Sequence, residues 1–547
     1  MSKNNLNEDL PWNLHDISSG CVRYSLQELD LSYNEITSSI PDLSIFLSLK
    51  TLDLSENQLR KIHEGCILSS QLESLFIKSN SLEGGIPKSF GNAFALRSLD
   101  LSNNNLSGEL PVIIHHSSGC ARYSPLNGKI PEDIRFPSQL EELYMYSNSL
   151  EGVISDSHFA NMSKLEWLDL SDDSLTVAFR KNWIPSFQLQ DIGLRSCKLG
   201  PAFPKWLQTQ NDFKVLDISN CGISDIVPKW FWAKFALSEL SNINISYNKL
   251  KGTIPNLPVK KTPFSFTLAS NQFDGSIPPF LRDSLSLDLS KNKFPDSLWF
   301  LCANGTVETL AQLDLSNNYF SGQIPDCWSH FKSLAYLDLS HNNFSEKIPT
   351  SMGLLPELQL LDLSLNNLSG RIPKCFTNFT SIAQKTSSRD YPGHMYLSNP
   401  GGRLSDDSFG LNAFLMWKGV EQILAQIDRL AMLDFSHNHL SGKIPTGTQL
   451  QSFNVSSYED NLDLCGKLLE NLCTEAKPQN QPIVKSHEDE YMLFTHGFYV
   501  SMAFGFFIGF WGIFGSILVN RSLRHAYFRI LNNLTHSIYI MIAVKVK

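Results

Sequence analysis

Few residue patterns in this 547-residue chain could carry bond-making chemistry. His437 and His439 could present two imidazoles to a metal, but they flank an Asn, and no Cys or carboxylate set accompanies them along the sequence. No zinc site is expected. Aspartates recur at a regular interval rather than as a close pair, which suits a solvated surface better than general acid–base catalysis. No Gly-rich phosphate loop and no His-Arg-Asp or Asp-Phe-Gly set appears, so no phosphoryl transfer, no enzymatic activity and no cofactor are expected. A formal net charge of −9 argues against a nucleic-acid binder and makes a polyanion an unexpected ligand. Most of the ten Cys are scattered singly. What remains is recognition chemistry, and the elements that present it are repeats.

Leu29-Asp30-Leu31-Ser32-Tyr33-Asn34 recurs as Leu52 to Asn57, Leu75 to Asn80, Leu99 to Asn104 and Leu143 to Asn148. It returns as Leu216 to Cys221, Leu287 to Asn292, Leu313 to Asn318, Leu337 to Asn342, Leu361 to Asn366 and Leu433 to Asn438. The period is about 24 residues, the length of a leucine-rich repeat. In each Leu-x-Leu, two apolar side chains point inward from a short strand and the Asp between them is expected to face solvent. The Asn amide can satisfy backbone groups where the chain turns, so stacked turns should build an Asn ladder. Cys197 and Cys221 occupy the ladder slot of two successive repeats and read as buried thiols rather than a bridge. The expected fold is an α/β leucine-rich-repeat solenoid with a parallel sheet on its concave face.

A second signature follows the first, as in Leu82 to Pro87, Leu106 to Pro111, Leu250 to Pro255, Phe320 to Pro325, Leu368 to Pro373 and Leu440 to Pro445. Gly permits the bend and Pro ends the pairing on the convex side. With this Leu-x-Gly-x-Ile-Pro element, residues 26 to 450 resemble the plant extracellular leucine-rich-repeat proteins. From about Asn378 to Leu430 the period fails. Tyr391-Pro392-Gly393 and Phe414-Leu415-Met416-Trp417 replace it, similar to the non-repeat island of plant receptors of this kind; a decayed pair of repeats is the alternative. The unit at Leu126 to Pro131 keeps its second half but lacks its strand, which is expected to interrupt the stacked core. Ser18 to Ser25 nearly repeats as Ser117 to Ser124 just before that gap, suggesting a rearranged gene.

Near the C-terminus, Gly447 to Phe453 and Asn461 to Cys473 resemble the cap of plant receptor-like proteins. A Cys465–Cys473 bridge would staple it in an oxidising compartment, whereas free thiols would imply a reducing one. After the acidic His487 to Glu490, an uncharged run from Gly497 to Val519 is long enough for a single transmembrane helix, and Arg521, Arg524 and Arg529 place the tail in the cytosol. Gly497, Ser501, Gly505 and Gly509 share one face and form a candidate helix-docking stripe. The organisation read from the sequence is an N-terminal segment 1–25, an array 26–376 broken near 112–137, an island 377–430, a last repeat 431–450, a cap and acidic segment 451–496, the helix 497–519 and a basic tail 520–547.

Against the Asp-then-Ser filler of the strands, Phe76, Lys78, Tyr144, Tyr146, Trp167 and Arg195 stand out as a candidate ligand patch; drift on a solvated face is the alternative. Sequons at Asn105, Asn161, Asn244, Asn304, Asn343, Asn367, Asn378 and Asn454 suit a glycosylated extracellular solenoid, while Asn520 and Asn533 should stay bare. The resemblance implies a plasma-membrane receptor-like protein similar to those sensing fungal xylanase and other elicitors. It would bind an extracellular protein, peptide or glycan and signal through a membrane-spanning adaptor receptor kinase. Two other readings are an enzyme-inhibiting repeat protein resembling polygalacturonase inhibitors and a truncated, non-functional relative. Met1 to Leu10 carries no apolar secretion signal and no Cys-bearing cap, so an N-terminal truncation is expected.

Overall fold

The computed structural model describes residues 21–109, 137–376 and 432–473, with short breaks at 38, 41, 64–65, 87–89, 91–92, 238–240, 258–263, 303–304, 447–448, 470 and 472, together with residues 2–4, 6, 414–417 and 420–423. Each Leu-x-Leu forms a three-residue strand whose first Leu is buried, as at Glu28–Asp30, Thr51–Asp53 and Gln312–Asp314. Fifteen such strands pair in parallel and in chain order, from Glu28–Asp30 to Met432–Asp434. Their leucines fill one continuous core with the Phe and Ile of the second signature, Leu52, Leu75, Leu143, Leu313 and Phe320 being fully shielded. Burying each such side chain stabilises the stack by about 1.5–3 kcal/mol.

The turn after each strand is set by two residues. Ladder amides bridge successive turns: Asn292 Nδ2 donates to Leu268 O at 3.0 Å and to Leu289 O at 3.1 Å, while its Oδ1 accepts from Phe273 N at 3.0 Å. The residue before the ladder position is left-handed, as at Glu56 (φ 55°), Asn220 (φ 54°) and Lys291 (φ 52°). That conformation is unfavourable for L-residues, and the ladder bonds on either side hold it in place.

The second signature does more than end the pairing. Its Leu-x-Gly segments add short strands on the flank, a six-stranded sheet over the first turns and a five-stranded sheet over the last. Short 3-10 turns and the helix Lys229–Leu237 cover the convex side. There Phe159, Phe179, Trp183 and Trp206 pack with ring centroids 4.4–6.2 Å apart.

Three expectations are corrected. The strandless unit does not interrupt the core: Ser98–Asp100 pairs directly with Glu142–Tyr144, and Asn148 Nδ2 reaches back to Leu101 O at 3.1 Å. The same holds beyond residue 376, where Leu360–Asp362 pairs with Met432–Asp434. Phe414–Trp417 and Val420–Ile423 form a separate antiparallel pair, unlike any repeat strand. Second, the strand Asp does not stand free in solvent. Its Oδ1 accepts the N–H of the Ser two residues on, at 2.9 Å from Ser219 to Asp217 and 3.0 Å from Ser290 to Asp288, and Asp169, Asp217 and Asp434 are buried. Third, Cys302 and Cys327 are not single Cys but are bridged across adjacent turns, while the Cys465–Cys473 bridge forms in the C-terminal segment as expected.

Residues 1–473 form one compact unit, and the second unit, 474–547, lies outside the described residues. Among the described residues no helix is long and apolar enough to cross a membrane; the span expected at 497–519 falls outside them.

Candidate functional site

The strand register fixes where the concave candidates lie. Phe76, Asp100, Tyr144, Asp169, Gly193 and Asp217 form one row across six successive strands. Neighbours in such a row are about 4.8 Å apart. Lys78, Tyr146 and Arg195 lie two residues further along their turns, in the row otherwise filled by Ser102, Ser171 and Ser219. Trp167 sits differently from its expectation. It precedes the Leu of its strand, pairs with Glu142 and stands diagonal to Tyr144. Because the sheet is continuous past the strandless unit, all six residues occupy one surface spanning Ser74–Phe76 to Asp191–Gly193 and the turn after it.

Their environments divide them. Phe76, Tyr144 and Trp167 are half-buried aromatic rings. The Lys78 side chain lies near Tyr146 across the intervening strand. Burial acts to lower the Lys78 pKa, but Tyr146 and the charges of Asp100 and Glu56 outweigh it and leave it raised. Tyr146 is itself buried, so it supports Lys78 more than it faces outward. Arg195 donates through Nε to both Asp172 oxygens at 3.0 and 2.9 Å, and through Nη2 to the same carboxylate. Its fork is occupied by a neighbouring turn rather than open to a ligand. What the surface can offer directly is therefore a set of three aromatic rings beside an anchored cation, a combination suited to a side-chain anchor or a sugar face.

Acid surrounds this set. The Asp169 side chain leans over Gly193, where an added Cβ would meet Asp169 Cγ at 2.4 Å. Burial and the nearby Asp217 push the Asp169 carboxyl up to about 6, and burial with Asp169 and Asp217 pushes Asp191 to about 7. Gly193 is thus required by close approach, and the carboxylates of Asp169, Asp191 and Asp217 gather around it beside Tyr144 and Trp167.

Other candidates fall elsewhere. Asn105, Asn161, Asn343, Asn367 and Asn454 are exposed and off the concave sheet. Asn244 is on a concave strand, its Oδ1 accepting from Ser246 N at 3.1 Å and its Nδ2 donating to Asp217 at 3.3 Å. That engagement weighs against glycosylation there. Asn304, Asn378 and the stripe of Gly497, Ser501, Gly505 and Gly509 lie outside the described residues. His437 does have a carboxylate near it, Asp460 at 3.0 Å from its Nε2, supplied by the following turn. Cys197 and Cys221 are free buried thiols donating to Leu170 O at 3.2 Å and Leu194 O at 3.0 Å. Sequence reasoning passed over Asp173, which also sits in the ladder slot. Its Oδ1 accepts from Leu150 N at 2.8 Å, while its buried Oδ2 has no hydrogen-bond partner.

Comparison with known proteins agrees with this architecture. Leucine-rich-repeat family models match residues 24–65, 47–106, 212–233, 309–331, 333–355 and 357–379. The receptor-like protein EIX2 of Solanum lycopersicum is 32% identical, the match covering 93% of this chain and 74% of that protein. Receptor-like protein EIX1 of the same species is also 32% identical, over 71% of this chain and 52% of its own length. Among solved structures, the ectodomain of the Arabidopsis receptor kinase HAESA with a peptide hormone ligand superposes with a TM-score of 0.59 at 25% identity, covering 86% of this chain and 66% of that one. The ectodomain of the Arabidopsis receptor kinase GASSHO1/SCHENGEN3 gives 0.57 at 26% identity, over 85% and 53%.

Proposed function

Since the chain belongs to the plant leucine-rich-repeat receptor-like proteins, we propose that it is a cell-surface receptor without a kinase of its own, which recognises an extracellular ligand on its concave face. The observation that carries this reading is the placement of Phe76, Tyr144 and Trp167, with Lys78 anchored by Tyr146, on one uninterrupted sheet. Aromatic side chains flanked by a fixed cation are the usual anchors of peptide and protein interfaces, and the curved sheet presents them to one partner. The ligand is an elicitor derived from a pathogen or the wall, or a peptide. The solved HAESA ectodomain, in complex with a peptide hormone ligand, supports a peptide among these ligand classes.

Signalling passes to a partner. The uncharged run 497–519 is read as the membrane span, and Gly497, Ser501, Gly505 and Gly509 let an adaptor receptor kinase's helix approach closely. Sequons on the flank and the two disulfides favour an exported, oxidising location. The test is binding of ligand candidates to the full chain expressed in plant cells, alongside Tyr144→Ala and Trp167→Ala. These variants are expected to lose binding by tenfold or more, about 1.4 kcal/mol, with the melting profile unchanged. Undiminished binding in both would remove the concave patch from consideration.

A further inference from the structure

A second surface lies on the flank of the last turns. Three segments there read Glu346-Lys347-Ile348-Pro349, Gly370-Arg371-Ile372-Pro373 and Gly442-Lys443-Ile444-Pro445, each with a cation immediately before Ile-Pro. In other described turns that position holds Gly85, Thr253, Ser276 or Gln323. The strands Asn343–Lys347, Asn367–Gly370 and His439–Lys443 pair in that order, so cations far apart in sequence stand on adjacent turns. With Lys374 they line an open groove of about 980 Å3, floored by the buried side chains of Ile348, Ile372 and Ile444.

The backbone lays the cations in line. Gly370 (φ +78°) and Gly442 (φ +81°) lack a Cβ where the previous turn's side chain passes. Lys347 Cγ lies 3.0 Å from a Cβ built on Gly370, and Arg371 Cγ and Nε lie 3.2 and 3.3 Å from one built on Gly442. Each side chain is therefore drawn along the solenoid axis over the next turn. Among the described residues Lys347, Arg371, Lys374 and Lys443 make no ion pair, although Glu346 lies on the first of these strands and Asp463 on the strand paired with His439–Lys443. Four like charges gathered without a counter-ion repel one another, and an anion relieves that repulsion.

We infer that this groove binds a linear polyuronate, one carboxylate per turn. The flank register advances two residues per turn, Lys347 facing Ser369 rather than Arg371, so successive cations step diagonally by about 8 Å, close to the two-ring repeat that returns the carboxylates of a two-fold uronate chain to one face. An extended peptide repeats its same-face side chains every ~6.7 Å and would drift out of register within three turns. Arg371 can take a carboxylate bidentately, and the Ile floor suits the apolar face of a sugar ring. The overall charge of −9 opposes polyanions elsewhere, which makes the binding local and salt-sensitive. A polymer held on the flank leaves the concave sheet open.

The test uses the full chain solubilised from plant membranes, with size-fractionated oligogalacturonate as probe and a neutral cello-oligosaccharide and oligoglutamate as comparators. Oligogalacturonate alone is expected to bind, with affinity falling as salt rises. The combined Lys347→Gln, Arg371→Gln and Lys443→Gln variant should bind about tenfold more weakly. A control replacing the exposed Lys249, Lys251 and Lys293 with Gln should bind as the parent does. If the triple variant does not fold, the single Lys347→Gln and Lys443→Gln variants should each weaken binding about two- to threefold. No retention of oligogalacturonate, equal binding by the variants, or equal binding of oligoglutamate, which would mark an acidic-peptide surface, each overturns the inference.

Discussion

At the ladder slot a single side chain must both accept from the turn before and donate to carbonyls of its own and the preceding turn. Asn does this in full, as at Asn318, whose Nδ2 donates to Leu289 O at 3.0 Å, Leu315 O at 3.2 Å and Ser316 O at 3.1 Å. Cys221 keeps only weak thiol donation, to Leu194 O and Ser219 O. Asp173 is the opposite case: it accepts from Leu150, but an ionised carboxylate has no proton to give, and burial pushes its pKa up to about 7 against 3.8 for an unperturbed Asp. Between those two values the folded chain holds a proton that the unfolded chain has released. Above about 7 the proton is lost, and a buried anion sits where the ladder needs a donor. Asp173→Asn restores the donor, so it is expected to stabilise the protein by about 1–3 kcal/mol at pH 8 and by less at pH 5. Chemical denaturation at the two pH values measures this, and an effect equal at both would show that the carboxyl is not the strained group.

Among elements, the junction across the strandless unit makes the sharpest claim. The amides of Leu101 and Asn103 donate to Tyr144 O at 2.9 Å and Tyr146 O at 3.0 Å, matching the bonds from Leu315 to Asp338 and Asn317 to Ser340 in an unbroken part of the array. Protection of these amides in hydrogen exchange is expected to agree within about tenfold, or ~1.4 kcal/mol of opening free energy. Exchange at Leu101 and Asn103 faster by several powers of ten would mean that the stack does weaken there. The contrast with expectation shows what a sequence displays. Leu-x-Leu strands and the Asn ladder were legible because each repeat states its own inward residues. The direct pairing of Asp100 with Tyr144 was not, since a pattern read along the chain does not say which strands become neighbours across a gap in the period. The flank strands were hidden because Ser-Gly segments such as Ser321–Gln323 carry no apolar alternation and form only by stacking on a neighbour. In the candidate patch, residue types revealed Phe76 and Tyr144, but not that Arg195 is held by Asp172 or Lys78 by Tyr146, because both partners lie on other turns. A signal for the Cys302–Cys327 bridge was present: their separation of 25 residues is about one repeat.

Over the whole molecule, stacking one Asp per turn concentrates acid along the concave sheet in a way no single repeat reveals. Burial first, and then neighbouring carboxylates, raise Asp169 to about 6 and Asp191 to about 7 and raise Asp288 and Asp338 in the same direction, while burial alone raises Asp314. Ser N–H donors and, near Asp169 and Asp217, the Arg195 guanidinium counter this without cancelling it. All these groups share one sign. Their folded pKa values lie above the unfolded value of 3.8, so from about pH 4 to pH 7 the folded chain binds more protons, and its stability falls as pH rises. Asp30 and Asp156 are shifted the other way, so their contribution is present above pH 4 and lost only below it. Unfolding free energy is therefore expected to decline by about 2–4 kcal/mol between pH 5 and pH 8, with Asp191→Asn flattening the slope. A profile that is flat or rises toward pH 8 would contradict the shared sign. A decline in the parent that Asp191→Asn leaves unchanged would move its origin away from the carboxylates behind Tyr144 and Trp167, toward the Asp288 to Asp338 stretch. The acidic lane and the candidate ligand face would then be separate features of one sheet rather than a single pH-sensitive surface.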